Sequence, residues 1–267
     1  MKCPIRFLAI IATVFALAWA VPEMMAQSTT AFFAQVAVGS GFTTTFTLLN
    51  TGDTLLNGNL ILTKSDGTPM NVNLSLSSGS QVTASSVPVP IQPGGSLFVT
   101  ATAANPGDSF TGWARVESSG GTLGGVATFE YLPSGELQTI AGVLSADVTP
   151  VATIPVDDNV GTQQCVSCTG YAVANPGSSP ISIRVVEVSA DGTTVTPLDP
   201  INLDPGKHTA AFFFQDNAAA RNFQGSAVLI GQGGATFSVV ALVQVQSTTG
   251  PLYTAIPVIP AKAPKIN

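Results

Sequence analysis

The sequence predicts an all-β protein of two tandem antiparallel β-sandwich domains, and three observations carry that expectation. Residues 169–193 (TGYAVANPGSSPISIRVVEVSADGT) lie without a gap on residues 44–68 (TTFTLLNTGDTLLNGNLILTKSDGT) at an offset of 125. Such self-similarity reads as an internal duplication. Charged residues make up only 9% of the chain, against about 25% in an average globular protein. Thr, Ser, Gly and Val take their place, which favours strands and turns over helices. Finally, short apolar or alternating runs are broken by turn residues about every 8–12 positions, the spacing of a sandwich.

The repeat puts Asn175 on Asn50, Gly177 on Gly52 and Asp191-Gly192-Thr193 on Asp66-Gly67-Thr68. Beyond it, Pro205-Gly206 matches Pro93-Gly94 at an offset of 112, and Phe223–Ala227 matches Phe110–Ala114 at 113. The identities fall at turns, which need particular backbone angles, whereas core positions need only volume. The expected units are residues 30–145 and 150–260, with a short tail at 261–267.

In the first unit, strands are expected at 32–38, 43–50, 59–63, 70–76, 97–102, 112–117, 126–131 and 137–144. The second repeats them at 151–156, 171–174, 181–189, 208–214, 225–230, 236–246 and 252–258. Over 43–50, Phe46 and Leu48 alternate with Thr45 and Thr47, the mark of a half-buried strand. Asp66-Gly67 signals a hairpin. The Ser-rich, Pro-bearing stretch 77–90 reads as a loop, and Ala218–Ala220 as the one place for a helical turn. With seven or so strands each, the units are immunoglobulin-like in architecture, without the Cys…Trp…Cys pattern of true immunoglobulin domains. A small barrel is the alternative.

The N-terminus reads as a signal peptide over residues 1–26: Lys2 and Arg6 precede the apolar run 7–19, and cleavage is expected after Ala26, with Ala20 as the competing site. Cys3 leaves with the leader. The mature chain then carries 7 Lys+Arg against 14 Asp+Glu, a net charge of −7. With no basic patch there is no electrostatic basis for nucleic-acid binding. No later run approaches the ~18 apolar residues of a membrane span, so a secreted protein of the envelope or extracellular space is expected.

The order of Gly-x-Gly-aromatic at 39–42, Asp-Gly, Pro-Gly, a Gly-x-Ala strand, Asp-Asp-Asn at 157–159, Ala-Val-Ala-Asn-Pro at 172–176, Gly-Lys-His-Thr at 206–209 and Tyr-Thr-Ala-Ile-Pro-Val at 253–258 resembles secreted tandem β-sandwich proteins of acidobacteria and other soil bacteria. The resemblance covers residues 32–260 and implies a fold and an exported setting; it carries over no catalytic residues. The chain departs from that pattern at Cys165 and Cys168.

Each chemical candidate meets a plainer alternative. Cys165-Val166-Ser167-Cys168 precedes a strand, not the helix N-terminus that activates a redox thiol, so a local disulfide is expected, with a turn at Val166-Ser167 to bring the two together. His208, the only histidine, has no nucleophile context and reads as a structural hydrogen-bonding group. Asp157-Asp158-Asn159 lacks the spaced acidic loop of a calcium site. Glu117 shares a strand face with Arg115, which marks a solvated surface. No cofactor or metal is expected. Aromatic residues are the better lead. Trp113 should point away from the core formed by Ala114 and Val116, as a sugar-stacking or interdomain contact. Among Phe212, Phe213 and Phe214, strand alternation sends at least one ring out of the core, and it is expected between the two units. The function expected is a non-enzymatic binding or structural module, for carbohydrate or a surface partner. The alternatives are a hydrolase with an unrecognised carboxylate pair and an edge-strand subunit of a surface assembly.

Overall fold

The computed structural model describes residues 29–161, 165–216 and 222–260. The leader, the tail 261–267 and the expected turn at Ala218–Ala220 lie outside them. In chain order the first half comprises β1 (Thr29–Gly39), β2 (Phe42–Asn50), β3 (Leu56–Lys64), β4 (Val72–Leu76), β5 (Gln81–Ala84), β6 (Ser86–Ile91), β7 (Ser96–Thr102), β8 (Ser109–Ser119), β9 (Leu123–Tyr131) and β10 (Thr139–Leu144). The second half comprises β11 (Val151–Asp157), β12 (Asn159–Val160), β13 (Cys165–Ala174), β14 (Ile181–Ser189), β15 (Val195–Pro197), β16 (Ile201–Leu203) and β17 (His208–Phe212). There follow α1 (Phe213–Asp216), β18 (Gln224–Gly231), β19 (Ser238–Ser247), β20 (Gly250–Ile256) and β21 (Ile259–Pro260).

The protein is all-β, its paired strands antiparallel. In the first half β6-β3-β8-β1 form one run and β5-β4-β7-β2-β9-β10 another, joined at the tight β1–β2 hairpin through Gly39 and Phe42. In the second half the corresponding runs, β16-β14-β18-β11 and β17-β13-β19-β20, belong to separate sheets. Strand order is thus shared in part: β17-β13-β19-β20 follows β7-β2-β9-β10, whereas β4 and β5 have no counterpart and β15 pairs with β14 instead. The first core gathers Phe33, Phe46, Leu48, Leu60, Leu62 and Leu74; the second gathers Ile154, Val173, Val185, Phe213, Leu229 and Phe237, all but fully buried. Each contributes roughly 1.5–3 kcal/mol of burial free energy.

Several sequence expectations are corrected. The stretch read as a loop at 77–90 holds β5 and most of β6. In β6 Val87, Val89 and Ile91 point in while Ser86, Pro88 and Pro90 point out. β6 pairs only with β3, and an edge strand tolerates prolines that a central one would not. The Asp66-Gly67 turn closes the expected hairpin, but a short one: Lys64 N–H donates to Thr68 O, Met70 N–H to Leu62 O and Thr63 bridges Pro69, after which β4 crosses to pair with β5 and β7. The strand expected through Phe214 ends at Phe212, where α1 begins.

A buried asparagine organises one end of each half. Asn50 Nδ2–H groups donate to the carbonyls of Thr54 (2.7 Å) and Ile91 (3.0 Å), and its Oδ1 accepts from Gly52 N–H (3.0 Å) and Thr122 N–H (3.1 Å). Asn175 likewise donates to Ser179 and Leu203 carbonyls (2.9 and 3.1 Å) and accepts from Gly177 N–H (3.0 Å). Its main chain closes the same ring, with Gly206 N–H on Asn175 O as Gly94 N–H is on Asn50 O. An amide is required because the site needs donors and an acceptor on one short side chain. Replacing Asn50 by Ala strands backbone groups that each cost about 1–3 kcal/mol when buried and unpaired. Urea unfolding of Asn50→Ala is therefore expected to show a loss of at least ~3 kcal/mol, and Asn50→Asp, which keeps the acceptor alone, a substantial part of it.

Candidate ligand cleft between the halves

Trp113 fixes where the halves meet. On β8 its neighbours Ala114 and Val116 are fully buried in the first core, so the indole is directed away from it, as alternation requires. The ring is nonetheless only 2% exposed, because the 205–206 turn of the second half covers it. Its Nε1–H donates to the Gly206 carbonyl at 2.7 Å. Arg115 lies over the ring at 5.6 Å and the Phe32 ring is 6.4 Å away. A covered indole has no face on which to stack a sugar, so that reading of Trp113 is withdrawn. The turn also meets the tip after β3: Gly67 and Gly206, at φ 87° and 76°, adopt left-handed backbone suited to glycine, and a Cβ on Gly206 would stand 3.6 Å from Gly67 Cα.

His208 sits beside this contact at 5% exposure. Its Nε2 shares a hydrogen bond with Gln35 Oε1 on β1 (2.9 Å), and its Nδ1 one with the Ser65 hydroxyl after β3 (3.0 Å). Its backbone N–H donates to Ser65 O. The one histidine therefore ties the second half to two segments of the first, and does so as a neutral ring. Burial pushes its pKa down to about 4, against a smaller opposing pull from the Ala34 backbone.

The three phenylalanines part company because α1 interrupts the strand. Phe213 is fully buried in the second core, its ring 4.7 Å from that of Tyr171. Phe212 and Phe214 stack on each other at 5.8 Å, and Phe212 is directed to the space between the halves.

That space is a cleft of about 380 Å³ with walls from both halves. The first half supplies β1, the start of β8, and β9 and β10; the second supplies the outer face of β13, β17 and β19, with Tyr253 of β20. Two rows cross the second wall in register: Phe212–Gly170–Leu242 and Ala210–Ala172–Val240. Opposite, Phe42 and Tyr131 stack at 4.5 Å, and Phe110 carries the Lys64 ammonium 4.5 Å above its ring. Among the described residues, no lining side chain is charged. Burial, and then the neighbouring Tyr131, raise the Tyr253 phenol above its usual pKa. Nothing in the sequence marked this cleft, since its floor is made conspicuous only by the smallness of Gly170, Ala172 and Ala210.

The other candidates lie elsewhere. Cys165 and Cys168 are at disulfide distance, with Cα atoms 5.8 Å apart. The expected turn is instead a bulge: β13 runs on through the pair while its register with β12 shifts between Asn159 and Val160, which shortens the strand. Asp158 is 2% exposed, and its Oδ1 accepts the Thr169 N–H at 2.7 Å. Burial pushes it up to about 6, against the Thr169 N–H, with Asp157 adding to the rise. Among the described residues no three His, Cys, Asp or Glu gather as a metal-binding group. Glu117 is held by Arg115 at 2.7 Å on an exposed face. No helix among the described residues is long and apolar enough to cross a membrane. No protein-family model, curated protein or solved structure matches the chain.

Two expectations follow. Between about pH 6.5 and 4 the unfolded chain protonates His208 while the folded chain resists, so this group's contribution is lost as pH falls through that window. Asp158 acts oppositely: its folded carboxyl, raised from 3.8 to about 6, costs stability at neutral pH and that cost is relieved as pH falls through 6. Each amounts to about 3 kcal/mol, so the parent should change little over this range. His208→Gln should gain stability on acidification and Asp158→Asn should lose it, as read from urea midpoints at pH 7 and pH 4.5. Separately, Trp113→Ala should widen the angular distribution of the halves in solution scattering while near-ultraviolet dichroism from the second core persists; a scattering curve identical to the parent's would remove Trp113 from the junction.

Proposed function

We propose that the chain is an exported, non-enzymatic binding module made of two immunoglobulin-like β-sandwich domains of one duplicated fold, related to the secreted tandem β-sandwich proteins it resembles. Its ligand site is the cleft between them. The observation that carries this reading is the uncharged cleft of about 380 Å³ to which both halves contribute walls. Small-molecule sites fall at roughly 300–1,000 Å³, are mostly apolar and prefer junctions between units of fold. Partly repeated strand order and the matched asparagine rings support the duplication. The apolar run 7–19 and the Cys165–Cys168 pair support export, where disulfides persist. Hydrolysis by a carboxylate or histidine needs that group placed at the substrate, and among the described residues the cleft lining holds hydroxyls but no carboxylate or histidine.

Full-length protein expressed with its leader should appear outside the cytoplasm with Gln27 as its first residue and no free thiol in denaturant. Extraction of that protein, purified without detergent, should release an uncharged small molecule detectable by mass spectrometry. Recovery of the same molecule from an Ala172→Phe variant would place the ligand outside the cleft.

A further inference from the structure

We infer that the second half binds a calcium ion where β11 passes into β12, away from the cleft, with the Asp158 carboxylate as its anchor. The starting point is one atom. Asp158 is 2% exposed, and its Oδ1 accepts the Thr169 N–H at 2.7 Å. Its Oδ2 is buried without a hydrogen-bond partner. The Phe214 N–H faces the same carboxyl but makes no hydrogen bond to Oδ2. Buried polar atoms in folded proteins are nearly always satisfied, and a buried carboxylate is normally paired or bound to a metal. Among the described residues the ion pairs are Arg115–Glu117 and Lys207–Asp204, so no cationic side chain there neutralises Asp158. A proton on Oδ2 would not relieve the atom either, since it would need an acceptor in turn. A cation satisfies it directly.

The surroundings carry the other donors. Asp158 lines a polar hollow with Asp157, Asn159, Ser167, Asn222 and Gln224, and every one of those side chains bears oxygen. Asp157 is near enough to act on the Asp158 carboxyl electrostatically. Two carboxylates with amide and hydroxyl oxygens, and no imidazole or thiolate, suit a hard divalent cation. The donors come from separate segments. Asp157 pairs with Gln224 across β11 and β18, and the Gln224 Nε2–H donates to Asp157 Oδ1 at 2.9 Å. Asn159 pairs with Ser167 across β12 and β13. Asp157 N–H donates to Thr169 Oγ1 at 2.9 Å, so the chain is held against β13 on either side of the Asp158 carboxyl. A calcium loop made of one segment shows its acidic residues spaced along the sequence. This site takes its oxygens from strands that only the fold brings together, which is why Asp157-Asp158-Asn159 lacks that spacing. Donors on separate strands give an irregular shell, which calcium accepts and magnesium, with its near-ideal octahedron, does not. Only two of the donors are carboxylates, and no third acidic, histidine or cysteine ligand gathers there among the described residues. So low a ligand charge sets a weak affinity, of the kind that suits an exported protein.

Calorimetric titration of the mature full-length protein, stripped of metal with a chelator and held near neutral pH, tests the site with Ca²⁺ and Mg²⁺ as chlorides. One Ca²⁺ should bind per chain with a dissociation constant of about 0.1–1 mM, the range of extracellular modules. Mg²⁺ should bind at least about tenfold more weakly, and about 10 mM Ca²⁺ should raise the urea midpoint. Asp158→Asn, which keeps an acceptor for the Thr169 N–H, should weaken Ca²⁺ about tenfold or more. Asp157→Asn, at an exposed position that the fold does not depend on, should weaken it as well, whereas Glu117→Gln on the first half should not. Thermal unfolding without calcium establishes that each variant is folded. Absence of Ca²⁺ binding up to about 10 mM, or binding that both aspartate variants retain in full, overturns the site. Equal affinity for Mg²⁺ and Ca²⁺ overturns the assignment to calcium.

Discussion

The contact of the Trp113 indole with the Pro205-Gly206 turn sets how the two halves meet, and the cleft exists because they meet that way. The turn is itself fixed from inside the second half, since Gly206 N–H donates to Asn175 O. One glycine therefore joins a buried asparagine ring, through its N–H, to an indole of the other half, through its carbonyl. His208, two residues on, adds a second tie through Ser65 and Gln35. These contacts are directional. Apolar burial alone would let the halves slide, whereas an indole N–H and a neutral imidazole each accept one geometry.

The junction is also unequal, although strand order partly repeats. At an offset of 113 the counterpart of Trp113 is Ser226, and at 112 the counterpart of His208 is Ser96. The residues that hold the halves together thus occur once each, on the surfaces that face one another. Small residues in the floor, Gly170, Ala172 and Ala210, belong to the same asymmetry. The junction is also held at β10 and β20, where Tyr253 N–H donates to Thr139 Oγ1 (3.0 Å) and Gln138 Nε2–H donates to Thr249 O (3.0 Å).

Charge follows the same division. Asp158 and His208 are buried in the second half with pKa values moved past each other, to about 6 and about 4. In each case burial disfavours the charged form. Their effects on stability between these values are of opposite sign and offset each other.

How much of this was legible follows from the kind of information each feature needs. The sequence by itself determined the strands, because alternation such as Phe46–Leu48 and turn residues such as Asn50, Asp66 and Gly206 act over a few neighbouring positions. It also determined that Trp113 leaves its own core, since Ala114 on the next position points in. Local signals failed where context overrides them: Pro88 and Pro90 read as loop because only an edge position makes them compatible with a strand, and Phe213 entered the second core because α1 broke the alternation. What covers Trp113, which groups His208 ties together, and the cleft itself were decided by tertiary structure. A cleft is made of what neighbouring surfaces fail to fill, and Gly170, Ala172 and Ala210 carry no local signal of that kind. Their smallness acquires meaning only when β1 and β10, far away in the chain, are brought opposite them.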